Sequence, residues 1–194
     1  MKKLITIIFL LNLIFGNTYS MQPDAFVQST VNRASEILSK NISKEEKTNG
    51  LKFIAKETVD IVGVGFYSLG SARKVLNDNQ KQRYFELFED YFLKSFSSRL
   101  SEYTNPKIEV QSKKVINENY TIVTSVLVST AERPEVKIDW RIYTKNPDSP
   151  LIRDLIIEGL SLARTQKEEF ASILNSNNGD INALFKTLEN FTKN

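Results

Sequence analysis

Near Lys107 the hydrophobic period of this chain switches from three-to-four residues to two, and near Gly159 it switches back. That change constrains the fold more than any other feature, because period 3.6 marks an amphipathic helix and period 2 a strand with one buried face. "KIEVQSKKVI", "YTIVTSVLVST", "EVKIDWRIYTK" and "LIRDLIIEG" read as four strands, separated by "NEN", "AERP" and "NPDSP". Connections this short and this rich in turn formers favour an antiparallel meander over a parallel sheet, which needs long crossovers. The third strand alternates most cleanly, with Val136, Ile138, Trp140 and Ile142 on one face and Lys137, Asp139, Arg141 and Tyr143 on the other. Helices, then a meander, then helices is the order of an α+β layer fold. No internal repeat or long linker divides the chain, so residues 21–194 are expected to form one domain, with helices over 23–100, strands over 106–158 and helices over 160–191.

The helices carry their own punctuation. Pro23 can open a helix reaching about Lys40, in which Phe26, Val27, Val31, Ala34, Ile37 and Leu38 recur at helical spacing. Ser43 with Glu46 and Asn77 with Gln80 form capping boxes, and Thr165 with Glu168 suggests a third. Between the first two boxes, the glycines of "DIVGVGFYSLG" imply short helical pieces or a bend. Asp180 can cap a last helix carrying Ile181, Leu184, Phe185 and Leu188.

The first twenty residues, "MKKLITIIFLLNLIFGNTYS", place a basic start before an apolar run and then small or polar residues, the order of a secretory signal with cleavage expected near Ser20. The apolar run is short for a bilayer span, which takes about 20 residues. The formal charge of +3 includes Lys2 and Lys3, leaving +1 on the remainder, too little for a nucleic-acid footprint. No cysteine is present to staple an exported fold or to carry a lipoprotein anchor, and no histidine is present. Lack of histidine removes the commonest general base and the commonest zinc ligand.

Look-alike motifs weaken accordingly. Gly159-Leu160-Ser161-Leu162-Ala163 resembles a nucleophile elbow, but a serine of that class needs a histidine base, so Ser161 reads as a loop or cap residue. "GVGFYSLG" has Ser68 where a dinucleotide fingerprint needs its third glycine, and no strand precedes it. The carboxylates Glu45, Glu46, Glu168 and Glu169 lie as neighbours on helix surfaces without a calcium-loop pattern, so no metal site is expected. Asp139, Asp154 and Glu158 on adjacent strands leave open a small α+β pocket enzyme of isomerase or dehydratase type, in which burial would raise a carboxyl pKa. A structural adaptor with a filled core is a further alternative.

What stands out is a helix full of rings. From Asn79 to Tyr103 the chain carries Tyr84, Phe85, Phe88, Tyr91, Phe92, Phe96 and Tyr103. On a helical wheel Phe92 and Phe96 fall within about 20° of Phe85, opposite Glu86, Asp90 and Lys94, so the phenylalanines form a stripe. Tyr84 and Tyr91 flank it, where a phenol can pack by its ring and keep its hydroxyl wet. Periodicity alone does not decide whether such a stripe plugs a core or lines a cavity.

"FYSLG", the capped "NQKQRYFELFEDYF" and the run Asp154, Glu158-Gly159, Ser161, Gln166, Glu169-Phe170, Leu174 and Leu184 resemble the MlaC-like toluene-tolerance family from about Ala25 to Leu188. The sequence departs from that pattern at Pro150, where the family tends to have tryptophan, and at Arg153, where an aromatic is usual. The resemblance implies a four-stranded antiparallel curved sheet packed with N- and C-terminal helices around an apolar pocket, and carriage without catalysis or cofactor. It implies a periplasmic protein that shuttles a glycerophospholipid between an outer-membrane lipoprotein complex and an inner-membrane MCE-type ABC transporter, maintaining outer-membrane lipid asymmetry. The lining residues it suggests are Phe66, Phe85, Phe88, Phe92 and Phe96 from the helices and Val126, Val128, Ile138, Trp140, Ile142, Leu155 and Ile157 from the strands. Both faces of the last strand are apolar at some positions, so its inward face stays open at this point.

Overall fold

The meander forms as its turn signals require. A computed structural model describes residues 21–193, and the expected leader, 1–20, lies outside the described residues. Strands β1 (Ile108–Asn117), β2 (Tyr120–Leu127), β3 (Val136–Tyr143) and β4 (Leu151–Ile157) pair in sequence order, each antiparallel to the next. A two-residue strand, β5 (Leu160–Ser161), adds a fifth member that was too short to show in the period. Extra residues interrupt the register of β1 on β2 at Gln111 and Ile116, and of β4 on β3 at Arg153. Such bulges bend a strand and raise its twist, which is how a small sheet becomes curved.

Helices α1 (Pro23–Ser39), α2 (Lys44–Thr58), α3 (Ile61–Ser68) and α4 (Asp78–Leu100) precede the sheet, with a 3₁₀ turn at Ala72–Lys74, and α5 (Leu162–Ser176) and α6 (Ile181–Lys193) follow it. Both N-terminal capping boxes form: Ser43 Oγ accepts from Glu46 N, and Asn77 Oδ1 accepts from Gln80 N at 2.9 Å, with the reciprocal bonds in place. The box expected at Thr165 does not. Helix α5 is capped four residues earlier because Ser161 Oγ accepts from Arg164 N at 3.1 Å, and Thr165 Oγ1 instead donates to the Ser161 carbonyl. Among the described residues, no helix is long and apolar enough to cross a membrane.

The core lies between the helices and one face of the sheet. Register places Val123, Ser125 and Leu127 of β2 beside Trp140, Ile138 and Val136 of β3, and Leu155 and Ile157 of β4 beside Trp140 and Ile138. All of these except Ser125 and Ile157 join Phe26, Val27 and Val31 of α1, Tyr84 and Phe88 of α4, Phe170 and Leu174 of α5, and Leu184, Phe185 and Leu188 of α6 in or around one apolar cluster. Lys137, Asp139 and Arg141 occupy the opposite face, on which Lys137 and Arg141 are exposed.

Candidate functional site

Helix α4 presents its rings as a ladder. Tyr84 stacks on Phe88 with centroids 5.5 Å apart, Phe88 on Phe92 at 6.1 Å, and Phe92 on Phe96 at 5.7 Å. The i, i+4 spacing brings one ring over the next at each turn. Phe66 of α3 touches Phe85 edge-on at 4.5 Å and extends the ladder outward, while Phe170 of α5 meets Phe88 edge-on at 6.2 Å and buttresses it. Phe88 is buried, and Phe85, Phe92 and Phe96 are only partly so while packed against the central cluster. Gly65 gives α3 its close approach, since a Cβ there would lie 2.9 Å from the Phe88 ring.

The tyrosines depart from expectation. Tyr84 is not a wet flank: it is fully buried and donates its hydroxyl to the Gly65 carbonyl at 3.1 Å. A ring in that position can be dry because the carbonyl replaces water as the hydroxyl's partner. Burial pushes its phenol far above the ordinary tyrosine range. Tyr91 is half-buried, donates to Gln166 Oε1 at 2.9 Å, and is also shifted upward by burial.

On the sheet, Ile138, Trp140, Ile142, Leu155 and Ile157 stand on the helix-facing side, which settles the inward face of the last strand. Val126 does not. It pairs with Lys137, so its side chain shares the outer face, and although buried it lies outside the central cluster. Val128 lies past the end of β2, two residues further along the same alternation. The inner residues of β2 are Thr121, Val123, Ser125 and Leu127, of which Ser125 Oγ accepts the Trp140 indole N–H at 2.8 Å. Two polar residues on the inner face disguised it in the sequence, and the buried indole explains one of them, since an unpaired indole N–H in the core would be costly.

The carboxylates that leave an enzyme open in the sequence each have hydrogen-bond partners of their own. Asp139 lies on the outer face, accepting from Thr124 Oγ1 at 2.6 Å and paired with Lys137. Asp154 is buried and accepts from Ser161 Oγ at 2.6 Å and Ala163 N at 3.0 Å, so it holds the start of α5 together with the Ser161 cap. Glu158, at φ 48°, sits in the β4–β5 turn and accepts from the Lys137 backbone.

Arg153 turns its departure from the family pattern into a fastener. From the β4 bulge it donates to Asp60 Oδ2 at 2.6 Å and to the Tyr120 hydroxyl at 2.7 Å, and its guanidinium lies 3.8 Å from the Tyr143 ring centroid. Burial opposes its charge, but the bonds to Asp60 and Tyr120 outweigh that and raise its pKa. Asp60 also caps α3 through Gly63 N, and its own N–H donates to the Ile152 carbonyl at 3.0 Å, so α3 is tied to β4.

Surface clefts of about 430 Å³ and 520 Å³ are lined mainly by polar residues, the first around Glu102, Thr130 and Arg133 and the second around Gln28, Asn32 and Lys107. None of the lining candidates borders either.

Comparison with known proteins agrees with this architecture. The chain is 22% identical over 161 residues to the intermembrane phospholipid transport system binding protein MlaC of Haemophilus influenzae, covering 79% of this chain and 75% of that protein. Its fold superposes with a TM-score of 0.74 on a phospholipid-binding protein from Ralstonia solanacearum solved in complex with a phospholipid, at 17% identity over 88% of this chain and 96% of the other. The family model described as MlaC protein matches residues 28–190, and the chain therefore belongs to the MlaC family.

Proposed function

We propose that this protein is a periplasmic phospholipid carrier that binds the acyl chains of a glycerophospholipid between α4 and the inner face of the sheet and performs no catalysis. The observation that carries the reading is the ring row Phe85, Phe92 and Phe96, packed against the core yet only partly buried. Each buried CH₂ is worth about 0.8 kcal/mol, so a long acyl chain gains on the order of 10 kcal/mol by lying along such a surface, while its head group stays in water. Family membership and the name of the Haemophilus relative support a role between two membranes. The partners are then an inner-membrane MCE-type ABC transporter complex and an outer-membrane lipoprotein complex, with maintenance of outer-membrane lipid asymmetry as the outcome. Phe66, Phe85, Phe88, Phe92, Phe96, Ile138, Trp140, Ile142, Leu155 and Ile157 are the lining residues, with Val123 and Leu127 in place of Val126 and Val128.

Solvent extraction of the purified protein, followed by mass spectrometry, tests the reading. Near-stoichiometric glycerophospholipid is expected, and finding none even after incubation with liposomes would overturn it.

A further inference from the structure

The exposed apolar side chains are unevenly spread. Val62, Phe66 and Tyr67 on α3 and Val75 just after the 3₁₀ turn are 56%, 36%, 42% and 82% exposed, and Val62 and Phe66 share one helix face at i, i+4. From Ile61 to Asn77 the sequence holds no carboxylate but carries Arg73 and Lys74. A third cation reaches the same place: the Lys167 ammonium of α5 lies 5.2 Å from the Tyr67 ring centroid. Arg73 Nη1 donates to the Phe66 carbonyl at 3.5 Å, so two cations bracket the exposed Phe66–Tyr67 pair. None of the three is in an ion pair among the described residues.

On the carrier reading, we propose that this face docks on an anionic phospholipid bilayer, and that acyl chains pass from it along the ring ladder. Unpaired lysine and arginine beside half-exposed rings and valines match a lipid interface, where phosphates meet the cations and the apolar side chains reach the acyl boundary. The face is joined to the ladder by unbroken ring contact, because the Phe66 ring touches Phe85, whose neighbour Tyr84 begins the stack through Phe88 and Phe92 to Phe96.

Uptake of a fluorescent phospholipid by the purified protein is measured from vesicles of phosphatidylcholine alone, from vesicles that also contain phosphatidylglycerol, and from detergent micelles. The wild type is expected to take up lipid faster from anionic vesicles, and salt to slow it. With two surface charges removed, Arg73→Gln/Lys74→Gln is expected to lose roughly thirty-fold in uptake from anionic vesicles at low salt. Val62→Ser/Val75→Ser is expected to slow uptake from both kinds of vesicle, and both variants load from micelles as the wild type does. Wild-type vesicle uptake by both variants overturns the proposal, as does a loss that appears equally with micelles, which would make these residues part of the lipid-holding site. A loss seen only when another protein supplies the lipid makes this a protein-docking face and overturns it too. Absence of lipid uptake by the wild type from every source overturns the carrier reading itself.

Discussion

Helix α3 and helix α4 both border the core, yet they are held in different ways. Helix α3 is tied to the sheet by directional bonds: Asp60 to Arg153, the Asp60 N–H to the Ile152 carbonyl, and the Val59–Ile152 bridge. Helix α5 is tied likewise through Asp154. Helix α4 bonds to other helices, through Tyr84 to Gly65, Tyr91 to Gln166 and Arg83 to Glu189, but among the described residues no side-chain hydrogen bond or ion pair joins it to a strand. Hydrogen bonds fix one arrangement, whereas apolar contact is non-directional and tolerates replacement by other apolar atoms. The difference assigns rigidity to the α3–β4–α5 corner and adaptability to the layer between α4 and the sheet.

Substitutions in the corner and in the layer should therefore behave differently. The largest loss is expected for Phe88→Ala, which removes a buried ring from the centre of the ladder and should cost about 3–5 kcal/mol in urea unfolding. Next comes Asp154→Ala at the fastened corner, which leaves the Ala163 N–H without its acceptor. It should cost about 2–3 kcal/mol and leave the amount of lipid held per folded molecule unchanged. Arg153→Met should cost about 1–2 kcal/mol by the same assay, since Asp60 keeps its bond from Gly63 N and the pair is partly exposed. Phe92→Ala removes a half-buried ring and should cost a similar 1–2 kcal/mol, roughly, but lower retained phospholipid several-fold on extraction. Equal lipid loss in Asp154→Ala and Phe92→Ala would erase the distinction between corner and layer.

The smallest effect concerns pH. Folding raises the Tyr84 pKa, so above the ordinary tyrosine value of about 10 the unfolded chain releases a proton that the folded chain keeps. Stability from this group is complete below that pH and is lost as pH rises above it. Tyr84→Phe should change stability at neutral pH by less than about 1 kcal/mol and flatten the alkaline decline seen in thermal melts, with Tyr91, shifted the same way, keeping part of it.

Much of this was legible in the chain because local rules agreed with tertiary ones. The period change at Lys107 marked the sheet, and Ser43–Glu46 and Asn77–Gln80 marked two helix starts correctly, since each box is closed by residues within four positions. The misses share the opposite cause. Ser161 is followed at its third position by Arg164 rather than Glu or Gln, so the start of α5 depends on Asp154, a residue of the neighbouring strand. In β2 the outer parity, Ile122, Val126 and Val128, is more apolar than the inner one, because Trp140 requires a hydroxyl at Ser125. A helical wheel puts Tyr84 at the edge of the stripe because it cannot show that the Gly65 carbonyl lies within reach. The ring ladder itself was readable from spacing; which of its rings are buried and which only partly so was not, since burial depends on which elements fold against it.

Cross-linking from a phospholipid that carries a diazirine on its acyl chain, with adduct positions read by mass spectrometry, shows where the chain lies. Adducts are expected on Phe85 to Phe96 of α4 and on the inner strand residues around Trp140 and Leu155. Adducts confined to the outer sheet face around Val126 and Arg141, or to the polar clefts at Glu102 and Gln28, would contradict that placement.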